Sequence, residues 1–133
     1  MLSLMFSLCI AGEPCKEERV ADFYTVIAAD VCDLNKISMS ADLVSLPEKA
    51  RASFFECKEM PTNVAQVSAV DLHFEITSDG KFEKVELARF YGSVGRPLCQ
   101  RNRDYYAEPI EQSAKVGNAN VTLACTEGEY AGA

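Results

Sequence analysis

The sequence predicts a single α+β domain with two N-terminal helices, an antiparallel β-hairpin plus a third strand, and a short helix between strands 2 and 3. Three observations support this fold class: a helical spacing of apolar residues before Cys32, alternation of apolar and polar residues around Asp79-Gly80, and a second alternation that ends at Cys125. A chain of 133 residues suits one domain, here residues 13–133, and we expect no internal repeat.

Two helices are predicted in the first half of the chain. The second, from about Leu46 to Glu59, begins at Ser45-Leu46-Pro47-Glu48, which has the form of a capping box, and ends before Pro61. Cys57 would face the core near its end. The first, from about Glu17 to Cys32, has apolar residues at the i, i+3, i+4, i+7 spacing of one helical face, namely Val20, Phe23, Tyr24, Ile27, Ala28 and Val31.

A β-hairpin is predicted around Asp79-Gly80, because this pair strongly favours a two-residue turn. Apolar and polar residues alternate from Val70 to Thr77, as in a strand that is buried on one side. The return strand has a change of phase after Phe82, which predicts a bulge.

After the hairpin we expect a short helix from Arg96 to Tyr106, closed by Pro109, and a third strand over Ala119 to Cys125. The segment from Glu127 onward is glycine-rich and acidic and is predicted to be frayed.

The N-terminal segment from Leu2 to Ala11 is apolar and resembles the end of a secretory signal. Residues 1–12 are therefore predicted to be a signal-peptide remnant, with cleavage at Ala11 or Gly12. The alternative is a first core strand or helix that is simply apolar. A stretch of about ten residues is too short for a membrane-spanning helix, which needs about 20, so no stable membrane span is expected.

Six cysteines, without a Cys-x-x-Cys pair, favour disulfides in an oxidising compartment over zinc or thioredoxin-like chemistry. The predicted location is periplasmic or secreted. The alternative is a set of reduced cysteines that are buried as small apolar residues. If cleavage removes Cys9, the disulfide candidates are Cys15, Cys32, Cys57, Cys99 and Cys125.

The formal net charge of −7 is spread over both halves of the chain and argues against a nucleic-acid partner. The local exception is a group of arginines that includes Arg96, Arg101 and Arg103. These form either a solvated loop or a surface for a protein partner.

His73 is the only histidine, and the alternation places it on the polar face of its strand together with Asp71 and Glu75. We expect it to be exposed and structural, because a general base normally lies in a cleft. A metal site built from these three residues is the alternative. No catalytic residue, cofactor or metal is predicted.

The second half of the chain, from roughly Ala50 to Cys125, resembles the C-terminal domain of TonB-type energy transducers. The resemblance rests on the order of Val70 to Ile76, Asp79-Gly80-Lys81, Val85-Glu86-Leu87, Tyr105 to Pro109 and the strand at Val121. Tyr105 or Tyr106 stands where the family has a tryptophan. Cys57 and Cys99 are similar in position to the cysteines of the AgmX/PglI-like variant of that domain.

The resemblance implies a detached TonB-like binding domain of the cell envelope that pairs an exposed strand edge with a partner peptide. Cys57 and Cys99 flank the same predicted hairpin, so we expect them to bridge, with Cys32 paired to Cys15 or Cys125. The predicted function is therefore that of a non-enzymatic, exported protein that binds a protein partner, with the edge at the third strand or the hairpin. The candidate partner-binding residues are Arg96, Arg101, Arg103, Val121 and Leu123.

Two alternatives stay open. One is a small-molecule-binding or enzymatic α+β protein, in which aromatic side chains line a pocket. The other is a secreted inhibitor or immunity-type protein that binds through Arg96 to Arg103. The aromatic side chains of the first alternative are Phe23, Tyr24, Phe74, Phe90 and Tyr106.

Overall fold

The computed structural model of the chain describes residues 1–42, 53–61, 67–117 and 119–130. These residues contain six strands and two helices, and the chain divides into two compact units, Met1–Pro61 (unit 1) and Thr62–Ala133 (unit 2). Strands are thus more abundant than the sequence predicts. The predicted fold, with two N-terminal helices and one three-stranded sheet, is wrong.

Unit 1 has the element order β-β-α-β. Strand β1 (Leu2–Leu8) lies between β2 (Lys16–Phe23) and β3 (Phe54–Glu59) and pairs antiparallel with both. Helix α1 (Ala28–Asp42) follows β2. The apolar N-terminal run therefore forms the central strand of this sheet, which explains why four of its seven residues are buried.

The two helices predicted in the first half of the chain are wrong where the structure describes them. The spacing assigned to a helix over Glu17–Cys32 in fact joins the end of β2, a turn and the start of α1, and the strand and the helix each bury their own apolar residues. In the second predicted helix, Phe54–Glu59 is the strand β3, and residues 46–52 and the predicted capping box lie outside the described residues.

Unit 2 also has the order β-β-α-β. Strand β4 (Val67–Ser78) lies between β5 (Lys81–Tyr91) and β6 (Asn120–Tyr130), and helix α2 (Gly95–Val116) follows β5. Asp79 and Gly80 join β4 to β5 at the predicted position, with φ of 51° and 75°, the signs that a type I′ turn requires.

Two elements of unit 2 extend beyond their predicted ends. Helix α2 continues to Val116 instead of ending before Pro109, which lies inside it. Proline has no N–H to donate to the helical hydrogen-bond ladder, but one missing bond does not end a helix that packs on a sheet. Strand β6 includes the segment from Glu127 to Tyr130, which the sequence predicts to be frayed.

The two units share more than their element order. Leu4 on β1 pairs with Ala21 and Cys57, and the equivalent Leu72 on β4 pairs with Ala88 and Cys125. In each unit the register shifts directly after this leucine. One residue of the neighbouring strand is thereby left without a counterpart, namely Val20 in β2 and Leu87 in β5.

The repeat is also visible in the residues themselves. Unit 1 contains Ala21-Asp22-Phe23-Tyr24, seven further residues, and Cys32-x-x-Asn35. Unit 2 contains Ala88-Arg89-Phe90-Tyr91, seven further residues, and Cys99-x-x-Asn102. An alanine, a phenylalanine, a tyrosine, a cysteine and an asparagine thus recur, each 67 residues apart. The expectation of no internal repeat is corrected by this finding.

Each unit has a disulfide that joins its helix to its last strand. Cys32 of α1 is bonded to Cys57 of β3, and Cys99 of α2 is bonded to Cys125 of β6. The predicted pairing of Cys57 with Cys99 is therefore wrong, as are both partners suggested for Cys32. The prediction failed because it placed Cys57 on a helix beside the hairpin, whereas it lies on the strand that pairs with β1.

A third disulfide, between Cys9 and Cys15, closes the loop between β1 and β2. Unit 2 has the Asp79-Gly80 turn at this place instead. Three disulfides in one chain are typical of proteins from oxidising compartments, so the chain is a disulfide-bonded protein of the exported or extracellular kind. Neither helix, within the described residues, has the length and apolar character to cross a membrane.

The N-terminal residues form a core strand, which was the alternative to a signal-peptide remnant. Leu4 is 1% exposed and Met5 6%, and Cys9 lies in the disulfide with Cys15. Cleavage at Ala11 or Gly12 stays a prediction. Such cleavage would remove the strand to which both β2 and β3 pair.

Candidate functional site

Strand β6 forms an edge of the unit 2 sheet. It pairs with β4 along its whole length, from Asn120↔Thr77 to Tyr130↔Val67, and among the described strands it has no second neighbour. Its other side therefore presents backbone N–H and C=O groups that no described strand binds. Strand β3 is likewise an edge of unit 1, because among the described strands it pairs with β1 alone.

The two edges differ in charge. Strand β6 has no charged residue and no proline between Val121 and Thr126, whereas β3 has three charged residues among six, Glu56, Lys58 and Glu59. Charged side chains, lysine above all, are a common means of keeping an edge strand from pairing with other chains. The charged residues of β6, Glu127 and Glu129, lie toward its C-terminal end, so from Val121 to Thr126 its edge has less of this protection than the equivalent edge of unit 1.

Val121 and Leu123, the strand residues among the predicted binding residues, lie in β6 and are half-buried. They alternate in phase with Cys125, whose sulfur bonds to α2, so they lie on the helix side of the sheet. Thr122 and Thr126 lie on the opposite side and are exposed. An added strand would therefore meet an apolar side and a hydroxyl-bearing side.

Arg96 lies in the first turn of α2 and forms an ion pair with Glu127 of β6, with 2.7 Å between Nε and Oε1. The hydrogen bond from Arg96 lowers the pKa of the Glu127 carboxyl and raises the pKa of the guanidinium. Both side chains are about half exposed or more, so water screens the pair and its contribution to stability is small.

The three predicted arginines lie on α2, but they do not all lie on one side of it. Arg101 and Arg103 lie on α2 and are exposed, and at 100° per residue Arg101 is far around the helix from Arg96. Val121 is six strand residues from Glu127, the partner of Arg96, which is about 20 Å. A binding role for Arg101 and Arg103 stays a prediction.

Each unit has a cleft beside the start of its helix. The cleft of unit 2 has a volume of about 480 Å³ and that of unit 1 about 310 Å³. The linings correspond at the 67- or 68-residue offset of the repeat. In unit 2 they include Ala69, Val70, Gly92, Ser93, Arg96 and Glu127, and in unit 1 Met1, Leu2, Thr25, Val26, Ala29 and Glu59.

Sequence reasoning missed these clefts. The internal repeat was the signal that could have found them. Once Phe23-Tyr24 is aligned with Phe90-Tyr91, the residues that follow in the two units can be compared position by position, and some of them differ in charge or polarity. Ala29 of unit 1 replaces Arg96 of unit 2, while Glu59 and Glu127 are both retained. The repeated fold therefore accepts either alanine or arginine at this position.

His73 is not exposed as expected. Its side chain is 5% exposed, its Nε2 lies 3.8 Å from Oε1 of Glu75, and its Nδ1 has no hydrogen-bond partner among the described residues. Asp71 is also buried and accepts a hydrogen bond from Nε of Arg89 at 3.0 Å. In the described part of the chain, no three histidine, cysteine or carboxylate residues are placed to hold a metal ion.

The aromatic residues that would line a pocket in a small-molecule-binding or enzymatic protein do not all belong to the same unit. Phe23 belongs to unit 1, and Phe90 and Tyr106 belong to unit 2, and all three are fully buried. Burial raises the pKa of the Tyr106 hydroxyl, which donates a hydrogen bond to the carbonyl of Leu87 at 3.5 Å. Tyr24 and Phe74 are half-buried.

Comparison with protein-family models, with curated proteins and with solved structures finds no match for this chain.

Proposed function

We propose that the protein is an exported, non-enzymatic binding protein that takes an extended segment of a protein partner as an additional strand on β6. The observation that supports this most directly is the edge of β6, an eleven-residue strand that pairs with β4 alone among the described strands. Main-chain hydrogen bonds to such an edge supply affinity, and alternate side chains supply specificity.

The side chains of β6 define the partner segment. Residues on the helix side of the edge should be apolar, since they would lie beside Val121 and Leu123. Residues on the other side would lie beside Thr122 and Thr126 and should be polar or β-branched. The expected partner segment is therefore about six residues long and alternates between apolar and polar positions.

Two further observations support the proposal. The disulfides are of the kind found in exported proteins, where an edge strand can meet envelope or extracellular partners. The resemblance of the second half of the chain to TonB C-terminal domains implies the same mode of binding, because those domains are similar in acting by strand addition.

A library of displayed, random ten-residue peptides tests the proposal and does not require that the natural partner be identified first. We expect the selected peptides to alternate apolar and polar residues and to slow hydrogen exchange at backbone amides of β6 but not of β3. The double variant Thr122→Lys, Ala124→Lys gives β6 a charged edge like that of β3 and should weaken binding at least about tenfold. The matched control is Phe54→Lys on the edge of β3, which should leave binding unchanged.

Protection confined to residues outside β6, or binding that survives both lysines, would refute strand addition at this edge. Circular dichroism and the disulfide count of each variant establish that the fold is kept. Thr122 is exposed, so its replacement by lysine is not expected to affect stability by more than about 0.5 kcal/mol.

A further inference from the structure

Strand β6 begins at an asparagine that is followed two residues later by a threonine. Asn120-Val121-Thr122 has the form Asn-x-Thr, with a residue other than proline in the middle, which is the acceptor signal for N-linked glycosylation. None of the other four asparagines of the sequence has a serine or threonine at this spacing. The sequence thus contains a single acceptor signal, and it lies at the start of the edge strand of unit 2.

The surface at this signal is open to solvent. Asn120 and Thr122 are both exposed, and as strand residues two positions apart they lie on the same side of the sheet, opposite α2. Asn35 and Asn102, in contrast, are buried, and their side chains donate hydrogen bonds to carbonyls of their own helices. A large, hydrated group attached to Asn120 would therefore stay in water without disturbing the packing of the unit.

An exposed aromatic side chain lies in the same row of the sheet as Asn120. Thr77 of β4 pairs with Asn120 on one side and with Phe82 of β5 on the other, so the three side chains lie on the same face. Strands lie about 4.8 Å apart, which puts the Cα of Phe82 about 10 Å from that of Asn120. Thr77 is exposed, and Phe82 is 64% exposed although it is large and apolar. The first sugar of a glycan on Asn120 could therefore reach the ring of Phe82.

The disulfides supply the matching cellular context. N-linked glycans are added to secreted proteins, and secreted proteins are also those in which disulfides form and persist. The three disulfides of this chain are of that kind. An exposed acceptor asparagine in such a protein is open to modification.

We propose that Asn120 carries an N-linked glycan whose first sugar, N-acetylglucosamine, packs its apolar face on the ring of Phe82. In the transfer, Nδ2 of Asn120 attacks the anomeric carbon of an oligosaccharide that is bound to a lipid diphosphate. A C–N bond forms and the bond from this carbon to the diphosphate oxygen breaks. The lipid diphosphate leaves with the electron pair, and the amide gives up one proton to a base of the transferase.

The glycan and the β6 edge use different groups of the strand. The glycan leaves from the face of the sheet, whereas an added strand would pair with backbone groups from Val121 to Thr126. The glycan would shield the end of the edge at Asn120, so an added strand would not extend past this residue. The proposal does not rest on strand addition, and either can fail while the other stands.

The first test is the intact mass of the protein from its natural source, before and after treatment with peptide N-glycosidase. This enzyme removes the glycan and leaves an aspartate in place of the modified asparagine. We expect a loss of mass equal to one glycan, and peptide sequencing should find the new aspartate at position 120. A natural protein with an unmodified asparagine at this position would overturn the proposal.

Variants secreted from a glycosylating host test whether the signal determines the modification. Thr122→Val keeps the shape of the side chain without the hydroxyl and should abolish glycosylation, whereas Thr122→Ser should keep it. The matched control is Thr126→Val, an exposed threonine on the same side of β6 but outside the signal. Loss of the glycan in both valine variants, or in neither, would contradict the assignment of Asn120.

Proton chemical shifts of the glycosylated chain test the contact with Phe82. Protons of the first sugar should be shifted upfield by the ring and should return to ordinary positions in Phe82→Ala. Phe54→Ala, which removes an exposed phenylalanine of β3, is the control and should leave them unchanged. Sugar shifts that are the same with and without the Phe82 ring would overturn the packing.

Discussion

Asn35 and Asn102 make the same hydrogen bond in two different helices. The side-chain amide of Asn35 donates a hydrogen bond to the carbonyl of Val31 at 2.7 Å, and that of Asn102 donates to the carbonyl of Leu98 at 2.8 Å. Both asparagines are at most 1% exposed. A buried amide that recurs in both halves, at the same position and with the same bond, indicates that each unit is built to one internal plan.

Replacement of either asparagine by alanine should destabilise its unit by about 1 to 3 kcal/mol, because a buried polar contact is lost and a small cavity remains. Unfolding by urea, monitored for Asn35→Ala and Asn102→Ala separately, measures this. The control is Asn120→Ala at an exposed strand position, with an expected change within about 0.5 kcal/mol. Equal stability of all three proteins would contradict the prediction.

Removal of the equivalent disulfides should have nearly equal effects. Cys32–Cys57 and Cys99–Cys125 close loops with separations of 25 and 26 residues, so chain entropy predicts a loss of about 3.5 kcal/mol for each. Cys9–Cys15, with a separation of 6, should cost about 2 kcal/mol. Denaturant unfolding of the three double-alanine proteins tests this order, and a larger loss for Cys9–Cys15 than for the other two would refute it.

Thr25 has a φ of 109°, and the equivalent residue of unit 2 is Gly92, with a φ of 76°. A β-branched residue is strained at positive φ, whereas glycine is not. Thr25→Gly should therefore raise the free energy of unfolding by up to about 1 kcal/mol, although Thr25 Oγ1 accepts a weak hydrogen bond from the amide of Ile27 at 3.4 Å. The reciprocal Gly92→Thr should lower it, and thermal unfolding of both shows whether the signs are opposite.

The Glu127 carboxyl should titrate below the range usual for glutamate, because the hydrogen bond from Arg96 favours its charged form. A lowered pKa in the folded state means that the stabilisation is present above the pKa of the unfolded chain and is lost as the pH falls through the folded pKa. Carboxyl carbon chemical shifts against pH measure this. In Arg96→Ala the Glu127 pKa should return toward its ordinary value, and an unchanged titration would show that the pair does not form in solution.

In a chain that lacks residues 1–12, unit 1 should not fold. Strand β1 lies between β2 and β3, and loss of Cys9 leaves Cys15 without its disulfide partner. Hydrogen exchange resolved by residue should show loss of protection in β2 and β3, while β4 to β6 stay protected. Intact mass and N-terminal sequence of the protein from its natural source then establish whether residues 1–12 are kept.

Local patterns predicted unit 2 better than unit 1. The Asp79-Gly80 turn and the alternation before it are signals within a few residues, and β4, β5 and β6 lie where those signals place strands. In unit 1, Val20 and Phe23 belong to a strand end and Ala28 and Val31 to a helix, yet their spacing imitates one helical face. Spacing alone does not distinguish one helix from a strand followed by a helix. The buried residues at the end of a short strand and at the start of the next helix can by coincidence be three or four residues apart, as they are on one face of a helix.

In the candidate sites, too, the features that depend on local patterns were predictable and those that depend on long-range packing were not. Val121 and Leu123 were placed correctly on a strand by alternation, which depends only on the two-residue period of the backbone. The ion pair of Arg96 with Glu127 was not predictable, because its members are 31 residues apart and meet only through the packing of α2 beside β6. The clefts depend on the same packing.

The sequence by itself determined the turn at Asp79-Gly80 and the alternating strands, and its six cysteines favoured disulfides, because each is a property of composition or of neighbouring residues. Only the tertiary structure decided that the apolar N-terminal run is a central strand, that Cys32 bonds to Cys57 and Cys99 to Cys125, and that β3 and β6 are edges. These depend on which distant segments become neighbours. That choice is made by burial and pairing over the whole unit, a long-range property that no short stretch of residues contains.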